Sequence, residues 1–187
     1  MSNPYLVMVN QRLAYSRIQL GIIVDAGWQK TVISNFERPA FLYGALFHLV
    51  DAYSLYLREI TFNYKQSDFI HSSIPQRRDQ PIKPGSVPNA GDLCSADQAP
   101  AEVKELLSLE NKADSWLGSM LHTYAARLDI PERLEVTDTA SKSASIPLVD
   151  VTSTENRLSS LTSERLESWL QAMRELVDRQ RETMFEC

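Results

Sequence analysis

The sequence is poor in glycine and cysteine. It has six glycines in 187 residues, less than half of the ~7% that is usual, whereas folds rich in tight hairpins need more. Its two cysteines, Cys94 and Cys187, show neither a pairing pattern nor metal-ligand spacing. We therefore expect free thiols in a reducing compartment, and the low glycine content favours a helical protein.

Long apolar runs are also missing. The longest mostly apolar stretch, residues 41–50, contains His48 and is much shorter than the ~18 residues of a membrane span. The first residues show no basic leader in front of an apolar core, which is the pattern of a secretion signal. These absences predict a cytoplasmic protein with no membrane partner.

The charge balance gives no sign of a polyanionic partner. The chain has 19 basic and 24 acidic residues and a net charge of −5, so it has no basic excess for nucleic acid or an anionic membrane. Near the C-terminus, basic and acidic side chains alternate as they do on a solvated helix face. These residues are Arg174, Glu175, Asp178, Arg179, Arg181 and Glu182. We expect no nucleic-acid partner.

Four segments carry apolar residues at the three- and four-residue spacing that is typical of a helix face. They are residues 4–29, 39–65, 100–128 and 154–185. The first begins with Asn3 and Pro4, which suit an N-cap and a first helical turn. The last has an alternative start, because Thr162 also offers a capping side chain.

Two long linkers separate these segments. Residues 66–99 are rich in proline and residues 132–153 in serine, threonine and aspartate, which predicts irregular structure in both. The first two helices have a short connection and should be antiparallel, but the long linkers leave the remaining topology open. The sequence therefore predicts a single all-α domain over residues 1–187, a four-helix bundle with two irregular linkers.

Motifs of catalysis are absent from the sequence. It has no glycine-rich phosphate loop, no Gly-x-Ser-x-Gly nucleophile turn and no Glu-x-x-His pair of the kind that binds metals in helical bundles. We therefore identify no catalytic residue and expect neither a metal nor a cofactor. A non-enzymatic protein is favoured.

Polar residues on the second predicted helix are the candidates for a ligand site. His48 lies at the edge of its apolar face, and Glu59 lies eleven residues further on, about 16 Å along the axis. A carboxylate on so apolar a helix needs a cation, and we expect Arg12 or Arg17 to supply it. His48, Glu59 and Arg12 thus form either structural contacts or an interior site for a small molecule or metal.

Aromatic residues concentrate on the same helix. Nine of the sixteen fall between Phe36 and Phe69, which indicates core packing together with an interface. We take Tyr53, Tyr56 and Phe62 as candidate interface residues, with the loop 66–99 as an adaptable arm. The predicted function is a protein-interaction module whose partner is another protein or a second copy. The alternative is the small-molecule or metal site around His48 and Glu59.

Short polar and aromatic anchors on all four predicted helices resemble those of a proteobacterial family of unknown function. They are Asn10-Gln11-Arg12-Leu13, Ala45-Leu46-Phe47-His48-Leu49, Glu59-Ile60, Ser115-Trp116-Leu117, Trp169 and Arg181-Glu182. The resemblance implies a small cytoplasmic helical protein. It implies no catalytic residues.

Overall fold

The computed structural model of the chain describes residues 3–28, 37–64, 87–93, 99–126 and 161–185. These ranges contain five α-helices, a single turn of 3-10 helix at Ala90–Asp92, and no strand. The α-helices are α1 (Pro4–Trp28), α2 (Glu37–Tyr64), α3 (Ala101–Glu110), α4 (Trp116–Ala126) and α5 (Ser163–Phe185). The all-α prediction is confirmed, but the number of helices differs from the predicted four.

α1 and α2 pack closely along one another and run antiparallel. At the start of α1, the Asn3 amide donates to the carbonyl of Glu59 (3.2 Å) and to Oδ1 of Asn63 (2.7 Å), near the end of α2. Further along, the buried Ser16 hydroxyl donates to the carbonyl of Ala45 (3.1 Å). Asn3 Oδ1 also accepts from the Tyr5 N–H (3.0 Å), so this asparagine caps α1 as its position suggests.

α2 is the central helix of the described fold. Thirteen of its 28 residues are buried, more than one face can supply, because the helix contacts α1, α4 and α5 at once. Among the described helices, α2 is the one whose length and composition would suit a membrane span, and 56% of that apolar window is buried inside the fold. A core helix passes the same test.

The predicted third helix, residues 100–128, is corrected to two helices, because the chain turns between Glu110 and Trp116. At this corner the Ser115 hydroxyl accepts from the N–H of Gly118 (2.8 Å) and donates to the carbonyl of Leu109. Such side-chain bonds compete with the helical ladder and cap α4. The apolar spacing continues across the corner, so periodicity alone did not show the break.

The last helix, α5, begins at the later of the two starts that the sequence allows. Thr162 accepts from the N–H of Arg165 (3.3 Å) and caps the helix. α5 runs parallel to α2, since Gln180 meets Tyr56 and Arg181 meets Glu59. It also contacts α1 and α4.

One part of the first linker packs on the helices. The N–H of Ala90, which is fully buried, donates to both carboxylate oxygens of Glu110 (2.9 and 3.0 Å). The Tyr53 hydroxyl donates to the same carboxylate (2.6 Å). Of the predicted linker 66–99, the structure describes residues 87–93 and 99, and the others lie outside the described residues. The whole of the linker 132–153 also lies outside them.

Candidate functional site

α1 has two apolar faces on opposite sides of the helix. Its buried face packs on α2 and consists of Val9, Leu13, Ser16, Leu20 and Ile23. At 100° per residue, five further apolar side chains form a stripe about 100° wide on the other side. A surface helix normally carries polar residues there, so this second face needs an explanation other than the core.

We call this exposed surface the outer face. It comprises Val7 (67% exposed), Met8 (41%), Tyr15 (38%), Ile18 (59%) and Ile22 (40%) of α1, together with Phe47 (43%) of α2. Apolar residues scattered singly on a surface are ordinary, whereas a contiguous group is typical of a binding surface. The outer face is therefore the strongest candidate for a functional site among the described residues.

His48 joins the two helices of the outer face. Its ring makes edge contacts with Tyr15 (5.4 Å between ring centroids) and with Phe47 (5.6 Å). Its Nδ1 is buried and has no hydrogen-bond partner among the residues that the structure describes. Burial and the nearby Arg12 guanidinium lower the pKa of His48, and the Asp51 carboxylate opposes them in part. The ring is therefore favoured in its neutral form.

We expect the stability of the protein to fall with decreasing pH partly through His48. Because folding lowers the pKa of His48, its contribution is fully present above the unfolded value near pH ~6.5 and is lost as the pH falls through the folded pKa. A His48→Gln variant should lose less melting temperature than wild type between about pH 7 and about pH 5.5. Equal losses in the two proteins would contradict this assignment.

The matched control for that measurement is His122→Gln. His122 lies on α4 with an exposed side chain, so the difference between the two variants isolates what the packed ring of His48 contributes.

Arg12 does not reach Glu59. Its Nε lies 2.6 Å from Oδ2 of Asp51 in a pair whose two side chains are about one-third exposed, and its guanidinium lies 5.9 Å from the centroid of the Tyr15 ring. Arg12 thus borders the outer face and is neutralised there. The expected pairing of Glu59 with Arg12 or Arg17 is corrected.

The partner of Glu59 is Arg181 from α5. The Arg181 Nε donates to Glu59 Oε1 (2.7 Å) and its Nη2 to Oε2 (2.8 Å), a two-point pair. The Glu59 side chain is 1% exposed and that of Arg181 is 12% exposed. Arg181 Nη1 also donates to Oδ1 of Asn10 (2.9 Å), so the pair connects α1, α2 and α5.

Further polar contacts continue from this pair towards α3. The Tyr56 hydroxyl donates to Oε1 of Gln180 (2.8 Å), and Gln180 Nε2 donates to Oε2 of Glu105 (2.8 Å). Arg179 pairs with the same glutamate at 2.6 Å. Hydrogen bonds from Arg179, and secondarily from Gln180, lower the pKa of Glu105. Every polar side chain in this run has a partner, which is the arrangement of a structural network.

The predicted interface role of Tyr53 and Tyr56 is corrected by their burial. Both rings are fully buried, and their hydroxyls are bonded to Glu110 and to Gln180. Burial is the main cause that raises the pKa of each phenol, reinforced by Glu110 for Tyr53 and by Glu59 for Tyr56. Phe62 is partly buried and makes an edge contact with Tyr5 at 6.3 Å.

Of the predicted ligand residues, the structure brings His48 and Arg12 to the same tyrosine ring, that of Tyr15, and holds Glu59 apart from them. His48 lies against the rings of the outer face, whereas both carboxylate oxygens of Glu59 are bonded to Arg181. Eleven helical residues separate the two, about 16 Å along α2. No group of three or more His, Cys, Asp or Glu side chains suited to a metal occurs within the described ranges.

Comparison with known protein families identifies the family of the chain. A family model described as a family of unknown function, DUF6586, matches residues 9–187. The chain belongs to this family. No curated protein and no solved structure matches it. The resemblance to a family of unknown function is thus confirmed, and its proteobacterial distribution stays a prediction.

In this DUF6586 member, sequence reasoning missed the outer face. The stripe that includes Val9, Leu13, Leu20 and Ile23 is sufficient to predict a helix over residues 4–29, and the apolar residues on the opposite side are not needed for that prediction. The spacing of Met8, Tyr15, Ile18 and Ile22 was the available signal. Gln180 could not be identified in this way, because nothing local distinguishes a buried glutamine on an otherwise charged helix.

Proposed function

We propose that the protein is a non-enzymatic interaction module and that the outer face is its docking surface. The observation that carries this proposal is the second apolar face of α1, where five large side chains are between 38% and 67% exposed opposite the stripe that packs on α2. Exposed apolar surface costs free energy in water. A partner that covers the face recovers that free energy.

The form of the face favours a helical partner. Its residues recur along α1 at steps of seven, three and four from Met8 to Ile22, so the surface is a straight stripe one helix wide. The exposed Gln11 fills the gap between Met8 and Tyr15 and donates to the Tyr15 hydroxyl (2.7 Å). Amphipathic helices recognise such stripes with side chains at the same spacing. Phe47 and Tyr15 add aromatic surface beside the stripe, and aromatic residues are enriched in interfaces.

The charges around the face favour association through apolar contact. From Pro4 to Ile22, α1 contains no acidic residue, and its two basic residues are Arg12 and Arg17. Arg12 is neutralised by Asp51 within the fold. The partner therefore needs apolar side chains more than it needs charge.

Replacing Ile18 by glutamate should weaken the docking. A charge in the middle of an apolar contact loses its hydration, so we expect the dissociation constant for the partner to rise by about tenfold or more. To find the partner, a photo-reactive amino acid is placed at Ile18 in the full chain expressed in cells, and the cross-linked protein is identified. That protein is then purified and titrated with wild type and with Ile18→Glu by calorimetry.

Val87→Glu is the matched control. Val87 is also an exposed aliphatic residue (36%), and it belongs to the segment 87–93 that packs on α3. The control should bind the partner as wild type does, and a photo-reactive group at Val87 should not capture it. Equal cross-linking at the two positions, or equal affinities of the two glutamate variants, would contradict the proposal.

A further inference from the structure

The outer face is widest at its middle. Along α1 it runs from Val7 to Ile22, with the exposed Gln11 between Met8 and Tyr15. α2 contributes Phe47, which contacts the ring of His48, and His48 in turn contacts Tyr15. Ile18, one turn further along α1, is 59% exposed. A partner that crosses α1 near these central residues covers the most apolar surface.

We propose that the occupant of the outer face is the outer face of a second copy of this chain. In this homodimer, α1 of one copy crosses α1 of the other around a two-fold axis that passes between Tyr15 and Ile18 of both. The inference rests on the proposed function and adds the identity of the partner. A two-fold contact joins the same patch on both copies, so the patch must fit itself.

The area of the face is sufficient for such a dimer. Aromatic side chains present about 150 to 250 Å² each and the aliphatic ones somewhat less, so the exposed fractions of the six residues amount to about 500 Å² per copy. Two copies together would bury at most about 1,000 Å², the lower end of specific interfaces. The expected dimer is weak and depends on concentration.

The face also has the charge of a surface that meets itself. The chain carries a net charge of −5, which repels a second copy at most orientations. α1 has no acidic residue before Asp25, and Arg12 is paired with Asp51. Arg17 lies on the side of the helix away from the stripe centre, by the 100° rule. Contact through the outer face therefore brings no unpaired like charges together.

Space beside the stripe allows two helices to approach. Ala14 and Gly21 follow Val7 at seven-residue intervals on one edge of the outer face, and a Cβ added at Gly21 would meet nothing within 4 Å. Small residues at the edge of a contact let helix backbones come close.

Sedimentation velocity over a roughly hundredfold range of protein concentration measures the dimer, because mass action shifts its population. Wild type and Val87→Glu should form a reversible dimer. Ile18→Glu should raise the dimer dissociation constant by about tenfold or more.

Cysteine cross-linking tests the crossing point. In a full chain with Cys94→Ser and Cys187→Ser, an added Ile18→Cys should form an inter-chain disulfide under mild oxidation, because the two copies of this position lie together. Val7→Cys is exposed on the same face, but it lies eleven residues from Ile18, about 16 Å along the helix. Because the two helices diverge from their crossing point, the Cα atoms of position 7 in the two copies lie further apart than the ~7 Å that a disulfide allows. This variant should stay uncross-linked.

Each outcome decides between the two proposals. A chain that stays monomeric overturns the homodimer, while binding of another protein that Ile18→Glu weakens still supports the proposed function. A dimer that Ile18→Glu leaves intact overturns the homodimer through the outer face, and association only with anionic phospholipid vesicles overturns both proposals. A dimer in which Val7→Cys cross-links as fast as Ile18→Cys overturns the proposed crossing.

Discussion

Arg181→Met is expected to destabilise the fold by about 3 to 5 kcal/mol, which is the usual cost of breaking a buried ion pair by removing one partner. Glu59 is 1% exposed, and both of its carboxylate oxygens accept hydrogen bonds from Arg181. Methionine fills much of the volume of the arginine stem but offers no donor. The variant therefore leaves a buried carboxylate without its cation.

The loss should be largely recovered in the double variant Glu59→Leu with Arg181→Met. Replacing both members of a buried pair by apolar residues is often close to neutral, because no unpaired charge remains. Urea denaturation of the two single variants and the double variant gives the coupling free energy through a double-mutant cycle. A double variant as unstable as Arg181→Met would show that the destabilisation comes from packing and not from charge.

Arg179→Met is the matched control on the same helix. Arg179 pairs with Glu105 at 2.6 Å, a distance close to that of the buried pair, but the two side chains are 58% and 35% exposed. Exposed pairs contribute about 1 kcal/mol or less, so this variant should be only slightly destabilised. Equal effects at Arg179 and Arg181 would contradict the role assigned to burial.

Gly118→Ala is expected to destabilise the protein by about 3 kcal/mol, in the range of overpacking in a well-packed site. A Cβ at this position would lie 2.3 Å from the carbonyl oxygen of Lys112 and 3.1 Å from that of Glu110. Both atoms belong to the backbone, so they cannot move aside as the end of a flexible side chain can. The corner between α3 and α4 must then open.

Gly44→Ala and Gly21→Ala separate this steric effect from helix propensity. At Gly44 the nearest atoms belong to the side chain of Gln19, and at Gly21 nothing lies within 4 Å. Alanine is favoured over glycine in a helix interior by about 1 kcal/mol, so Gly21→Ala should be neutral or stabilising, and Gly44→Ala should change stability little. If Gly118→Ala also proves neutral by urea denaturation, the α3–α4 corner is not as close as described.

Local sequence was sufficient for the helical character and for the N-cap of α1. Asn3 and Pro4 define the start of α1 because the N-cap bond reaches only two residues along the chain, from the Tyr5 N–H to Asn3 Oδ1. The corner at Ser115 also depends on local contacts. The apolar spacing of residues 100–128 continues across this corner, so a pattern taken over the whole segment does not show the break.

The need of Glu59 for a cation followed from the sequence, since a carboxylate among apolar residues requires one. The identity of that cation did not follow. Arg181 lies 122 positions away in the chain, and only the parallel packing of α5 on α2 brings it to Glu59. The same packing brings Gln180 to the Tyr56 hydroxyl, and Glu110 at the end of α3 meets the Tyr53 hydroxyl. An isolated amphipathic pattern could equally place both tyrosines at a surface.

The amino-acid sequence by itself predicts the helical character that the described residues show, because helix formation and capping depend on neighbours a few residues apart. Which apolar face is covered depends on the tertiary structure. α1 offers two such faces, and its antiparallel packing on α2 buries one and leaves the other exposed. Periodicity shows that both faces are apolar, but exposure is a property of the packed helices, and the proposed docking surface rests on that exposure.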